Sequence, residues 1–345
     1  MSVYALAGLG NPNPSFIDTH FLSVFVFMVV SGLVGSLGAS LMDVSIANDV
    51  APSVFSGSKL ATFNSRFRQV DLITEVGSPV LAGLFLAIPD FWFPLTGFGL
   101  VVAWNLLSFF PELMILSSVF KERPDLKSKI LHVSSESRKS LTRKIAEGWR
   151  DFFRQPIAPV MIAYAAIWLS VLSPHGVLLT GFLNDGWHLP EWTIGLFRGS
   201  GAFFGLAATF LFPIALKFMN LRKVAAVFLS FQAVTVLGAY GFFHLGGTIG
   251  ANGFLVLVLF SRIGVYGFGL GEMQIRQEEI PTALRGEING FANALTGVAT
   301  LILFGSGAAL SATEDFGYLI LMSVVFVWIA LAIYLVWLKK NPVQR

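Results

Sequence analysis

Apolar residues in this chain gather in long blocks separated by short polar or turn-forming stretches, without the two-residue alternation of a half-buried strand. Scanned over about 19 residues at a time, the blocks give nine candidate membrane helices: residues 21–46, 72–89, 94–119, 157–183, 193–215, 222–244, 251–275, 287–310 and 315–338. The alternating ten-residue pattern of outer-membrane barrel strands is missing, so in lipid the backbone must satisfy its hydrogen bonds inside helices. The pattern predicts an all-α, polytopic membrane protein with about nine transmembrane helices, divided three and six by one long connection at 120–156.

The cations sort by side. Five exposed segments (1–20, 90–93, 184–192, 245–250 and 311–314) hold no Lys or Arg. The alternate segments hold 21 of the 23: Lys59, Arg66 and Arg68; ten between 120 and 156; Lys217, Arg222 and Lys223; Arg276 and Arg285; Lys339, Lys340 and Arg345. Short cytoplasmic loops retain cations during insertion. The expected arrangement is a non-cytoplasmic segment 1–20, a partial front lobe 21–119, a basic cytoplasmic linker 120–156, a six-helix rear lobe 157–338 and a cytoplasmic tail 339–345. In the linker, ten cations against Glu122, Asp125, Glu136, Glu147 and Asp151 leave an excess of +5, which suits anionic lipid headgroups. A solvated loop obeying the same charge bias is the simpler reading.

Six helices after a basic cytoplasmic linker form the rear half of a transporter built from two six-helix lobes. A front lobe of three helices with its first terminus outside fits that design entered late, because dropping an odd number of leading helices moves the terminus across the membrane. Residues 1–20 have neither the cationic start and apolar core of a signal peptide nor the Arg-rich composition of a transit peptide. The expectation is a chain that begins three helices into the design.

Composition narrows the chemistry. Of 345 residues, 55% are hydrophobic and 12% charged, about half the charged share of a soluble domain. The absence of cysteine excludes disulfides, thiolate ligands, a Cys nucleophile and iron–sulfur clusters. The string from Gly267 through Gly269 to Gly271 lies inside a membrane block with no strand before it, so it is not a dinucleotide loop. No Walker motif, Ser/His/Asp arrangement or metal-protease motif occurs. Neither an enzyme nor an ATP-driven pump is expected, and no cofactor, nucleotide or nucleic-acid partner.

Several strings carry a family resemblance. They are Ser58-Lys59-Leu60-Ala61 with Asn64, Arg66, Arg68 and Asp71; Trp104-Asn105-Leu106 with Glu112; Gly148-Trp149 with Gln155-Pro156; Ser261-Arg262-Ile263-Gly264 followed by Gln274, Gln277 and Glu278; Arg285-Gly286 with Asn289-Gly290 and Asn293; and Phe316-Gly317. In order and spacing, from about residue 21 to 338, they resemble the ferroportin family, solute carrier family 40. The stretch Val171-Leu172-Ser173-Pro174-His175-Gly176-Val177-Leu178-Leu179-Thr180 is similar to its plant and algal, plastid-type branch. The resemblance implies a major facilitator architecture that carries Fe2+, and sometimes other divalent metals, by alternating access. It also implies that the family's first three helices, with acidic and histidine ligands of a front-lobe metal site, have no counterpart here. The animal members' rear-lobe thiol position falls at Gly176 or Val177 and their histidine position at Leu303, so that site does not carry over.

Polar residues inside the blocks are the remaining candidates. His175, between Pro174 and Gly176, is the metal-ligand candidate, because Pro and Gly weaken the helix and neutral imidazole binds first-row divalent metals. The alternative is a histidine bonded to a neighbouring helix. Arg262, mid-span, is expected to be structural or gating and paired with a carboxylate, since an unpartnered charge there is costly; Arg198 is similar but nearer the outer end. Glu272 precedes Arg276 by one turn and is expected to pair with it. Gln274, Gln277 and Glu278 read as part of an inner gate, and Asp43 as an oxygen donor to a cation or, more simply, a cap or ion-pair partner. Arg66, Arg68 and Asp71 on one side and Arg285, Glu287 and Asn289 on the other predict a charge network closing the cytoplasmic end. The glycines from Gly264 to Gly271 are expected to let their helix bend. The alternatives to an iron carrier are a carrier of another solute, such as a metal chelate or small organic cation, and a non-transporting partial protein. Metal, direction and membrane are open, with plasma membrane and plastid or vacuolar envelope as options.

Overall fold

The structure, a computed structural model, describes residues 26–27, 30–35, 37–38, 50–86, 96–122, 141–281 and 284–342. Among these residues no β-strand occurs. After a single turn, Ala51–Val54, come α1 (Gly57–Leu86), α2 (Thr96–Glu122), α3 (Leu141–Arg154), α4 (Ala158–Ile167), α5 (Val177–Asp185), α6 (Glu191–Ala215), α7 (Leu221–Leu245), α8 (Gly247–Glu279) and α9 (Arg285–Ala309). A 3-10 turn, Thr313–Asp315, leads into α10 (Phe316–Lys340). The helices α6 to α9 and the segment Thr313–Lys340 are long and apolar enough to cross a membrane; 25 residues of helix span about 37 Å, against a hydrocarbon core of roughly 30 Å.

Three boundaries differ from the hydropathy reading. The block at 72–89 is the end of a helix that starts at Gly57. Its polar first half stays helical because Leu60, Ala61, Asn64, Ser65 and Leu72 recur at helical spacing and are buried, packing α1 against α6 and α8. The block at 157–183 is two helices, α4 and α5, with an irregular stretch at 168–176 that includes Pro174. The linker 120–156 is not a loop throughout: α2 runs on to Glu122, and 141–154 form α3, whose Gly148 and Phe152 are buried. A β-carbon placed on Gly148 would lie 2.1 Å from the Phe291 ring of α9, and Trp149 packs on the same ring at 4.9 Å. Asp43 lies outside the described residues.

The tightest seam joins α7 and α8. The two helices are separated only by Gly246, and Gly246 and Gly247 take φ of +66° and +61°, a left-handed conformation that strains any residue with a side chain. The chain therefore reverses at once, and the helices run back along each other. Gly264, Gly267 and Gly271 of α8 face Gln232, Phe228 and Ala225 of α7 in antiparallel order, and a β-carbon at each would come within 2.5, 2.2 and 2.7 Å of them. These glycines permit close approach, and α8 is continuous over its 33 residues. Apolar cores flank this seam. One, around Phe152, Met161, Phe228, Phe268 and Tyr334, lies at the cation-bearing end; the other, around Leu172, Leu183, Phe254 and Ile320, lies at the opposite end, where Phe182 stacks on Phe316 at 4.0 Å.

Overpacking a close seam costs about 1–3 kcal/mol. Gly264→Ala is expected to lower the unfolding midpoint in detergent accordingly. Gly286→Ala, in space that is open among the described residues, should stay within about 0.5 kcal/mol of the parent.

Candidate functional site

The break between α4 and α5 is built from backbone groups that have lost their helical partners. The N–H groups of Trp168 and Leu169 still donate back to Ala165 and Ala166 at 3.1 Å, and the helix then opens. The Val171 N–H donates to the Ser323 hydroxyl of α10 at 2.9 Å, and Ser323 is fully buried. The carbonyl of Leu172 accepts from Nη2 of Arg262 on α8 at 2.8 Å. Two side chains from different helices thus satisfy groups that lipid cannot. Arg262 was expected to pair with a carboxylate; the partner found is this carbonyl, because an interrupted helix leaves acceptors that a buried guanidinium can fill.

The break presents His175. The residue is partly buried, and Pro174 and His175 rest against α6 at Gly201, where a β-carbon would come within 2.7 Å of the Pro174 ring and 3.5 Å of His175 Cε1. Arg198 is exposed on α6, one turn before Gly201. Among the described residues no group of three His, Asp or Glu converges as a ready metal cage.

At the cation-bearing end, α1 meets α8 through neutral amides. Asn64 Nδ2 donates to Gln277 Oε1 at 2.6 Å, and Gln277 Nε2 returns a bond to Asn64 Oδ1 at 3.3 Å. Both residues are buried. One turn before, Gln274 Nε2 donates to the Gly57 carbonyl at 3.2 Å and to Glu278 at 2.8 Å. Arg68 pairs with Asp71 on its own helix and lays its guanidinium over the Tyr266 ring of α8, 4.8 Å from the centroid. Arg285 donates to the carbonyls of Gln277 (2.8 Å) and Ile280 (3.1 Å), closing the end of α8. α1 and α8 are thus joined here by amide hydrogen bonds and by the Arg68 guanidinium on Tyr266; of the groups expected to form a charge network, Asp71 pairs with Arg68, Arg285 donates to orphan carbonyls at a helix end, and Arg66 is exposed. Asn289 is buried with no hydrogen-bond partner for Oδ1 among the described residues. Glu272 and Arg276 pair as their spacing implied, Nε to Oε1 at 3.2 Å, both buried.

A family model described as Ferroportin1 (FPN1) matches residues 11–327. The chain belongs to the ferroportin family. A curated protein named ferreportin, from Bdellovibrio bacteriovorus, is 42% identical over 335 residues, covering 94% of this chain and 73% of that one. Solute carrier family 40 member 1 of Oryza sativa subsp. japonica is 26% identical over 337 residues, 91% of this chain and 68% of that one. Among solved structures, a bacterial homologue of the iron transporter ferroportin in an outward-facing state matches with a TM-score of 0.81 at 40% identity, covering 98% of this chain and 77% of that one. The inward-facing state of such a homologue matches with a TM-score of 0.62 at 40% identity, over 93% and 74%. The strings quoted above thus identify the family correctly, and the protein is an integral, multi-pass membrane protein of transporter fold.

Ser323 and Tyr266 are the site residues that sequence reasoning passed over, and Asn64 was quoted only within a family string. Asn64 carried a signal, as an amide on the buried face of a helix otherwise rich in charge. Ser323 carried none, since a lone Ser in an apolar block reads as filler. Ser323→Ala leaves the Val171 amide without its acceptor; a buried unsatisfied group costs about 1–3 kcal/mol. Faster hydrogen exchange over 168–176, with little change in α7 or α8, is the expected reading.

Proposed function

We propose that this ferroportin-family chain carries Fe2+ across a membrane by alternating access, without nucleotide hydrolysis. Three supports converge. The fold and 40% identity tie it to the bacterial iron-transporter homologue. The end at which α1 and α8 meet is closed by the Asn64–Gln277 pair. The match to the outward-facing state, 0.81 against 0.62 for the inward-facing one, agrees with closure at that end. The observation that carries the reading is that closure, because a few neutral hydrogen bonds are a contact that opens and re-forms at low cost. In water-accessible settings each is worth about 0.5–1.5 kcal/mol.

His175 is the residue we assign to the metal, on the break that Arg262 and Ser323 hold open. Arg198, Glu272 and Arg276 line or brace the path. Asn64, Gln274 and Gln277 form the gate, and Arg285 and Asn289 position it. The cation-bearing end faces the cytoplasm, by the retention of Lys and Arg in short cytoplasmic loops. There α3, with Arg143, Arg150 and Arg154 on its exposed side, lies against anionic headgroups.

Reconstituted in liposomes, the chain should quench an encapsulated iron-sensitive dye on addition of Fe2+ faster than protein-free vesicles do. Equal rates would overturn the assignment. Asn64→Ala and Gln277→Ala each remove the amide pair, and a loss of about 0.5–1.5 kcal/mol shifts a two-state population by roughly 2- to 12-fold. Labels on the gate ends of α1 and α8 should report a larger separated fraction in either variant.

A further inference from the structure

Between α4 and the last turns of α10 lies a cavity of about 700 Å³ that neither the break nor the gate uses. Pro159 of α4 and Ala332, Ile333 and Val336 of α10 wall it with carbon. Trp337 Nε1 donates to the Pro156 carbonyl at 2.8 Å, which ties the two walls together and leaves the indole no further donor. Ala332 and Val336 are exposed, so the cavity opens sideways from the bundle. From Ala332 to Lys340 it follows α10 for about 12 Å. An apolar groove of this kind on a membrane helix suits a hydrocarbon chain better than water.

One end of the groove is charged. Lys340 lines it where α10 stops, with Lys339 next to it, and both are exposed. Among the described residues neither lysine enters an ion pair. The cations around them are engaged. Arg222 binds Glu279 at 2.5 Å and the Asn341 carbonyl at 2.7 Å, with its guanidinium 4.9 Å from the Trp337 ring centroid, and Arg154 faces Asp151 at 3.9 Å. A lysine stem can lie along the apolar wall while its ammonium stays in the polar layer.

We infer that this groove binds an anionic phospholipid, with an acyl chain along Pro159, Ala332, Ile333 and Val336 and the phosphate at Lys340. Charge complementarity selects the occupant: a zwitterionic lipid fills the same groove but brings its own cation close to Lys339 and Lys340, whereas an anionic headgroup meets only attraction. Held there, the lipid buttresses α4 on α10, the helix whose Ser323 receives the Val171 amide of the break.

The inference rests on the placement of the cation-bearing end at a headgroup layer, and the experiment separates the two. Native mass spectrometry of the purified full chain in detergent, titrated with phosphatidylglycerol and phosphatidylcholine of the same acyl chains, reads retention of each lipid. The parent should retain phosphatidylglycerol about fivefold better, the scale of one cation beside an anionic surface. K339Q/K340Q should bring the two lipids close to parity. A332W, which fills the groove and leaves every charge in place, should lower retention of both. Glycerol phosphate, a headgroup without chains, should not displace the bound lipid. If the preference survives K339Q/K340Q but falls in R143Q/R150Q, the headgroup contact of α3 stands and the groove is overturned. Unchanged retention in A332W, or displacement by glycerol phosphate, also overturns the groove. Equal retention of the two lipids by the parent overturns both the groove and the placement.

Discussion

Everything else in this molecule is arranged around one unpaid debt of hydrogen bonding: a membrane helix that stops halfway through its span. Between Ile167 and Val177 the backbone leaves helical geometry in a setting where water is not available to receive its polar groups. Arg262 and Ser323 take them over, from two helices far apart in sequence. Once the break is held in this way, α5 is free to leave at its own angle, Pro174 and His175 can seat against the bare backbone of Gly201, and a polar place exists inside an apolar bundle. An arginine whose charge opposes cation transport is what keeps the break in shape. Its charge is then a condition that any cation route nearby has to meet.

The gate follows a different economy. A buried salt bridge between α1 and α8 would be costly to separate, since each partner then loses both its companion and its desolvated surroundings. Neutral amides exchange one hydrogen bond for another with water at little net loss. The charged groups at this end are kept busy within their own neighbourhoods: Arg68 with Asp71, Arg276 with Glu272, and Arg285 with the last carbonyls of α8. Ion pairs form within each side, and amide contacts, together with Arg68 laid over Tyr266, hold the sides to each other.

Much of this was legible in the sequence, for definite reasons. The apolar blocks and the ferroportin-like strings between Ser58 and Phe316 give the class, the family and the approximate spans, because lipid imposes length and hydropathy directly. The Glu272–Arg276 pair could be read because one turn of helix fixes it locally. What could not be read depends on contacts between distant segments. Hydropathy cannot tell a continuous span from α4, a break and α5, since the break is itself apolar apart from Ser170, Ser173 and His175. It cannot show that Arg262 meets a carbonyl rather than a carboxylate, or that Asn64 finds Gln277 across 213 positions. The glycines of α8 were legible as small residues, but whether smallness serves bending or contact is decided by what stands opposite.

That contact makes the α7–α8 hairpin a lever. With no slack in the Gly246–Gly247 turn and no room to slide at Gly264, Gly267 and Gly271, any tilt of the pair about its middle would carry both helices as one beam. A half-length of about 25 Å turned through about 10° sweeps its tip by roughly 4 Å, more than the 2.6 Å reach of the Asn64–Gln277 bond. A small tilt at the level of the break is thus magnified into a parting at the gate, with the two ends of the beam swinging in opposite directions, so that opening one mouth and shutting the other are the same movement.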